Sequence, residues 1–229
     1  MVWDWIPEYL PKFADGLWVT TKLLLLSIFF GMMLAIPIGL VQVTGPRWAG
    51  ALARAFCTVV RGTPLLIQLW LLYYGLGALF PHIDGIRESF LWPILRDAFP
   101  FALLAFTISV AGYEGEIMRG AFKSVPKGEL EAARAFGMSR FTVVRRIWLP
   151  RAFQNVLPTL AGEIVLTLKA TPLAATITVF DVYGVASIVR QETYRIYEPL
   201  LFVAGIYILL TGVIVLLFRW LENRVPRPA

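Results

Sequence analysis

The chain has 229 residues, of which 58% are hydrophobic and 16% charged, against about 45–50% and about 25% in an ordinary soluble domain. The apolar excess is gathered in blocks, which excludes a single soluble globular domain and points to membrane spans. The formal net charge of +6 is spread between those blocks, a pattern of orientation in a bilayer and not of nucleic-acid binding.

The opening stretch "MVWDWIPEYLPKFADG" carries acids, prolines and tryptophans where a cleavable signal would carry a basic segment and a short apolar run. It reads as an amphipathic interfacial segment, with Trp3, Trp5 and Tyr9 suited to the headgroup level. Five spans follow, each near the roughly 20 residues needed to cross about 30 Å of hydrocarbon: 17–43, 57–80, 99–118, 155–179 and 199–218. The expected fold is therefore an all-α integral membrane protein forming one transmembrane domain over residues 1–229. Gly31, Ala35 and Gly39 recur every four residues in the first span, a spacing that lets helices approach closely. Pro37, Pro64 and Pro172 interrupt spans one, two and four. Such breaks suit places where other protein or a watery cavity satisfies the freed backbone. Cys57 reads as a packing residue, the single cysteine excludes a disulfide framework within the chain, and His82 lies in a loop; neither has partners for a metal site.

Five spans put the termini on opposite sides. Fourteen Lys and Arg residues fall after span one, in the loop Arg119–Arg151 and in the tail (Arg219, Arg224, Arg227). Five fall in the N-terminal segment and the other two loops: Lys12, Arg87, Arg96, Arg190 and Arg195. Basic segments stay in the cytoplasm, so the N-terminus is expected outside and the C-terminus and the 119–153 loop inside.

That loop reads as two short helices. Pro126 suits a first turn, Glu129 and Glu131 and then Arg134 follow the helix dipole, and Gly137 suits a left-handed end. Ser139 can cap a second helix, with Phe141, Val144 and Trp148 on one face and Arg140, Arg145 and Arg146 around the other. Pro150 predicts a bend before span four. Two uses stay open: an amphipathic pair on anionic lipid, or a docking knob whose Ala132 and Ala133 admit another protein's surface.

"EAARAFGMSRFTVVRRIWLP", Glu131 to Pro150, resembles the EAA motif of ABC importer permeases, a family with a type I importer fold. The matching positions are Glu131, Ala132, Ala133, Gly137, Ile147, Leu149 and Pro150. The resemblance implies a coupling helix that docks into a cytoplasmic ATPase dimer. Glu131 would meet a basic group there, Ala132 and Ala133 would permit close packing, and Gly137 would make the turn. "VVRGTPLLIQL", "AGYEGEIMRGAFKSVPKGELEAARAFG", "GEIVLTLKATPLAATITVFDVYG" and "SFLWPILRDAF" resemble the polar amino acid uptake permeases, in the group serving histidine, lysine, arginine and ornithine or the opines octopine and nopaline. Two places depart from that pattern: Gly162, where relatives commonly have Asn, and Ala170-Thr171-Pro172, where Ser-Thr-Ser or Asp-Thr-Ser is frequent. The resemblance implies a bacterial inner-membrane subunit working with a second permease subunit, similar or identical, and an extracytoplasmic solute-binding protein.

Charged groups inside spans need partners or water. Thr159, Glu163 and Thr167 stack on one helix face and can line a substrate pathway. Glu163 would then hold an ammonium or guanidinium, or else pair with Lys169 or with a partner subunit. Lys169 can attract a carboxylate or snorkel. Arg61, Thr63 and Pro64 make a candidate gate, with a helix-end anchor as the other role for Arg61. Glu116 is expected to pair with Arg119; Glu114 has no assigned role, and Tyr73 and Tyr74 read as packing aromatics. The chain lacks a G-x-x-x-x-G-K-[ST] phosphate loop, so it is not expected to be an enzyme or to bind a cofactor, and ATP and Mg would sit on the partner ATPase. A self-sufficient ion-driven amino acid transporter and a non-transporting scaffold are the competing functions.

Overall fold

The structure, a computed structural model, describes residues 3–224; Arg227, counted above for orientation, lies outside them. Eight principal helices run in chain order: α1 (Ile6–Thr44), α2 (Arg47–Gly62), α3 (Leu65–His82), α4 (Ala98–Ser124), α5 (Lys127–Ala135), α6 (Arg140–Ile177), α7 (Val182–Thr193) and α8 (Tyr197–Arg224). Five of them, α1, α3, α4, α6 and α8, are long and apolar enough to cross a membrane. The expected five spans therefore stand, with different limits.

The first helix begins eleven residues early, and the expected interfacial segment is its first turns. Trp5, Tyr9 and Phe13 are buried, packed on Val182, Val185 and Val189 of α7. Trp5 and Phe13 meet Phe202 of α8 edge-on, at 5.7 and 4.9 Å between ring centres. Tyr9 donates to Glu192 at 2.7 Å, and Asp4 pairs with Arg195. Two of the three aromatics chosen as headgroup anchors, Trp5 and Tyr9, are thus protein contacts, while Trp3 stays exposed: apolar rings with a polar tip serve either use, and the tertiary partner decides. Pro37 does not interrupt α1, which stays helical through both Pro11 and Pro37.

The second span divides differently from its prediction. Thr63 is extended, at φ −109° and ψ 134°, because the ring of Pro64 excludes the helical conformation from the residue before it. Cys57 to Gly62 therefore belong to α2, and the span proper starts at Leu65. Carbonyls released at this break are covered locally. Thr63 Oγ1 donates to Val59 O at 2.9 Å, while Gln68 Nε2 lies 2.8 Å from Val60 O and 3.0 Å from Thr63 O. After Pro172 the helix α6 tightens to a 3-10 segment, Thr171–Ile177.

The central seam is α1 against α4. Gly31, Ala35 and Gly39 are buried there as their spacing predicts, and Gly112 and Gly115 of α4 admit Val60 and Ile38. Close packing of this kind is what small residues supply where lipid gives no hydrophobic drive between helices. By contrast α3 and α8 keep most of their apolar surface uncovered within this chain.

In the charged loop Pro150 does not interrupt the helix. A π-helical turn, Val144–Trp148, precedes it, and the helix runs on from Arg140 into α6. The wider turn accommodates the missing N–H and the ring that would otherwise clash. It also shifts the register. Val143 and Trp148, five apart, are the buried pair, while Phe141, expected on the inner face, is 73% exposed.

Candidate functional site

Two features carry the chemistry: a polar cavity among the spans and the helical hairpin of the charged loop. The cavity holds about 410 Å³ and is walled by the α2–α3 break, by α4 and by α6. Arg61, Thr63 and Pro64 form its first wall, Ser109, Tyr113 and Glu114 its second, Glu163 and Thr167 its third. The sequence reading of a gate and the reading of a pathway thus converge on one space. Each group arrives for a local reason. Arg61 stands just before the chain break that Pro64 imposes. Its guanidinium lies 5.7 Å from the centre of the Tyr113 ring, and the Tyr113 hydroxyl donates to Arg61 O at 3.5 Å. Glu163 and Thr167 are one turn apart on α6, and Thr167 Oγ1 donates to Glu163 O at 2.9 Å.

Two expected members of the pathway are elsewhere. Thr159 is exposed and lies one turn short of the cavity. Lys169 is exposed and does not line it; two residues past Thr167 it points about 200° around the helix axis. No ion pair joins Lys169 to Glu163 among the described residues. Glu114, left without a role by the sequence, does line the cavity. It is 4% exposed, and its Oε2 is buried with no hydrogen-bond partner among the described residues. Glu116 pairs with Arg119 as expected. Tyr73 packs edge-on against Phe101 at 5.6 Å, a core contact.

In the hairpin, α5 ends on Phe136 and Gly137. Gly137 has φ +80°, a left-handed conformation that favours glycine, and its N–H reaches Arg134 O at 2.9 Å. Ser139 caps the next helix by accepting from the Thr142 N–H at 3.2 Å. Glu131, Ala132, Gly137 and Pro150 are exposed. Ala133, expected to face a partner, is instead 4% exposed, packed in the core with Leu130, Val143 and Trp148. Ile147 and Leu149 are half-buried against the same core. Phe136, 87% exposed, and Phe141 stand at the tip. Neither was singled out as exposed beforehand, because an aromatic in a helical pattern is more often core.

Three ties fix the hairpin to the spans. Trp148 Nε1 donates to Phe122 O at 2.8 Å. Arg151 makes a two-pronged pair with Glu129, with Nε at 2.9 Å and an Nη at 2.6 Å. Asn155 donates to Ser124 Oγ at 2.9 Å. The hydrogen bonds from Arg151 hold the Glu129 carboxyl below the usual carboxylate range.

An all-helical bundle with five membrane-length helices, a polar cavity at a helix break and a tethered, exposed hairpin defines the class as a membrane permease of the type I importer fold. The chain belongs to the family of binding-protein-dependent transport system inner membrane components, which it matches over residues 27–227. It is 42% identical over 207 residues to the octopine transport system permease protein OccM of Rhizobium meliloti, covering 90% of this chain and 83% of that protein. It is 36% identical to the nopaline transport system permease protein NocM of Agrobacterium fabrum, covering 95% and 90%. It is 35% identical to the histidine/lysine/arginine/ornithine transport system permease protein HisM of Escherichia coli K12, covering 91% and 87%. Among solved structures it is similar to a chain of an amino acid ABC transporter with histidines, at TM-score 0.82 and 30% identity, with 98% of this chain and 99% of that one covered. A chain of the MetNI methionine ABC transporter, at TM-score 0.79 and 16% identity, shares the fold over 96% of this chain and 99% of its own.

Proposed function

We propose that this chain is the permease subunit of an ATP-driven importer for polar amino acids of the basic class, or the related opines, and that it moves them by alternating access. The observation that carries the reading is that one helix, α6, carries both the second arm of the exposed hairpin, tied to the first by Arg151 and Glu129, and Glu163 of the cavity wall. A motor that grips the hairpin therefore acts on the place where a solute would sit. Glu131, Ala132, Gly137 and Pro150 offer the docking face for a cytoplasmic ATPase dimer, which carries ATP and Mg; the chain itself holds no cofactor. The uncovered faces of α3 and α8 leave room for a second permease subunit, similar or identical, and for lipid. An extracytoplasmic binding protein delivers the solute. In this arrangement the N-terminus is outside and the hairpin and C-terminus are in the cytoplasm, as the basic residues argue. Glu163 receives a cationic group of the substrate.

The test is uptake by the complete complex in liposomes with a panel of amino acids, with and without ATP. Import that needs ATP and the companion chains is expected. Accumulation by this polypeptide alone would assign it to ion-driven transport instead, and docking of the ATPase without solute flux would make it a scaffold. Glu163→Gln should weaken uptake of arginine, lysine and histidine while assembly survives; unchanged kinetics for all three would remove Glu163 from the site.

A further inference from the structure

Between Asp15 and Asp84 the chain has no carboxylate side chain, yet it carries Lys22, Arg47, Arg54 and Arg61. The three arginines lie seven apart on α2, nearly in one stripe that drifts about 20° per seven residues. Arg61 lines the cavity and stands over the Tyr113 ring. The other two are exposed, and among the described residues neither makes an ion pair. Arg54 folds back along the helix. One of its Nη atoms lies 3.4 Å from where a Cβ would stand on Gly50, one turn nearer the start of α2. Gly50 itself packs against Val41 and Gln42 of α1, so the Arg54 guanidinium lies toward the α1–α2 turn, where Arg47 stands. That turn is at the hairpin end of the bundle, since Gly39 of α1 packs against Met118 and Arg119 in the last turns of α4.

We infer that Arg47 and Arg54 hold the phosphate of an anionic phospholipid, in the leaflet at the hairpin end. Guanidinium N–H donors match phosphate oxygens in pairs. Long basic side chains also reach the interface while their stems stay in hydrocarbon, which is the direction Arg54 takes. The apolar residues beside them favour a lipid over a carboxylate of another protein. Trp48, Leu52 and Val59 are exposed on the far edge of the same face, at helical spacing. From the turn inward the face therefore offers cations, then an indole of the kind enriched at headgroup level, then aliphatic side chains. A phospholipid presents phosphate, glycerol esters and acyl chain in that same order. Each basic group near an anionic surface adds its own attraction, whereas a zwitterionic headgroup brings an ammonium that opposes it. The inference needs only that the chain lies in a membrane, and it stands apart from the choice of substrate.

The experiment uses the complete membrane complex, this chain with its companion chains, purified in detergent. Native mass spectrometry counts the phosphatidylglycerol and the phosphatidylcholine it retains, the two lipids having the same acyl chains. The wild type should prefer phosphatidylglycerol. Arg47→Gln combined with Arg54→Gln should weaken phosphatidylglycerol binding at one site about thirtyfold, the value of two cations at an anionic surface, and leave phosphatidylcholine binding as it was. Arg47→Lys combined with Arg54→Lys should keep most of the preference. Equal retention of the two lipids by the wild type overturns the inference, and so does phosphatidylglycerol binding that the glutamine pair leaves unmoved. Loss of the companion permease from the glutamine pair overturns it too, by making this face a protein interface. A second measurement reads stability. Phosphatidylglycerol should raise the thermal unfolding midpoint of the wild-type complex above its value in phosphatidylcholine, because a ligand of the folded form stabilises it. The glutamine pair should lose that difference, and a difference that persists undiminished overturns the site.

Discussion

Gly31→Ala tests the seam that sets the position of every cavity wall. A methyl at Gly31 would stand 2.5 Å from Val110 Cβ and 3.3 Å from Thr107 O, where carbon atoms at rest keep about 3.5–4.0 Å. Val110 Cβ is fixed to the α4 backbone, so no rotamer relieves the overlap and the helices must part. Overpacking of this size costs about 1–3 kcal/mol, against which alanine returns about 1 kcal/mol of helix propensity. The net expectation is a loss of up to about 2 kcal/mol, or up to roughly 8 °C in a chain of this length. Gly205→Ala supplies the opposite sign. Nothing lies within 4 Å of a Cβ at Gly205, so only the propensity gain of about 0.5–1 kcal/mol remains. Thermal unfolding of the purified chain in detergent, followed by tryptophan fluorescence, reads both. The double variant Gly31→Ala, Val110→Ala should recover at least half of the loss, because contacting residues are not additive. If Gly31→Ala and Gly205→Ala shift the midpoint upward alike, the seam is looser than described and the argument from close approach fails.

Trp148→Phe keeps the ring but strips the N–H from Phe122 O, which should destabilise the loop end of α6 by about 1–3 kcal/mol and raise the ATP hydrolysed per solute imported, measured in the same liposomes. Glu131→Arg should abolish copurification of the ATPase while the spans still insert; a normal complex would detach Glu131 from docking. For Glu129 the lowered carboxyl fixes the sign of the pH effect: its pairing with Arg151 is fully present above the ordinary value of 4.5 and is lost as pH falls through the depressed one. Amide exchange over Lys127–Ala135, corrected for its intrinsic pH dependence, should therefore stay slow at neutral pH and quicken in acid, and in Arg151→Ala should already be fast at pH 7.

The spans were legible because twenty apolar residues have few other uses, and the turn of the charged loop because Gly137 and Ser139 act through their own backbone neighbours. What escaped was decided at a distance or by register. The apolar run through Cys57 and Val60 reads on into span two, and only the pre-proline geometry of Thr63 divides them. A π turn carries no reliable sequence mark, so counting at 3.6 residues per turn put Phe141 inside and left Val143 out. Ala133 and Ala132 are adjacent and alike; which one faces the core depends on how α5 lies on α6. Glu114 gains its meaning from Glu163 and Arg61, which are 49 and 53 positions away in the chain.

The ties at the loop end constrain how the cavity can open. Phe122 and Ser124 of α4 are bonded to Trp148 and Asn155 of α6, so the loop ends of these two walls cannot separate without breaking one buried hydrogen bond and one exposed one. Glu163 lies fifteen residues along α6 from Trp148, roughly 22 Å at 1.5 Å per residue. A ten-degree tilt of the hairpin would then displace it by about 4 Å, scaling with that same rise, and the loop-end half of α4 would travel with it. The first wall is tied elsewhere, by Trp70 Nε1 of α3 donating to Thr176 Oγ1 of α6 at 3.0 Å. At Thr63 the backbone leaves the helix, its carbonyls are covered by Gln68 from its own segment, and the links of this segment to α4 are Val60 packed on Gly112, a cation over the Tyr113 ring and a long hydrogen bond of 3.5 Å. On the proposed import function, motion imposed on the hairpin would be taken up at the α2–α3 break, changing the distance from Arg61 to Glu163 between an open and a closed cavity.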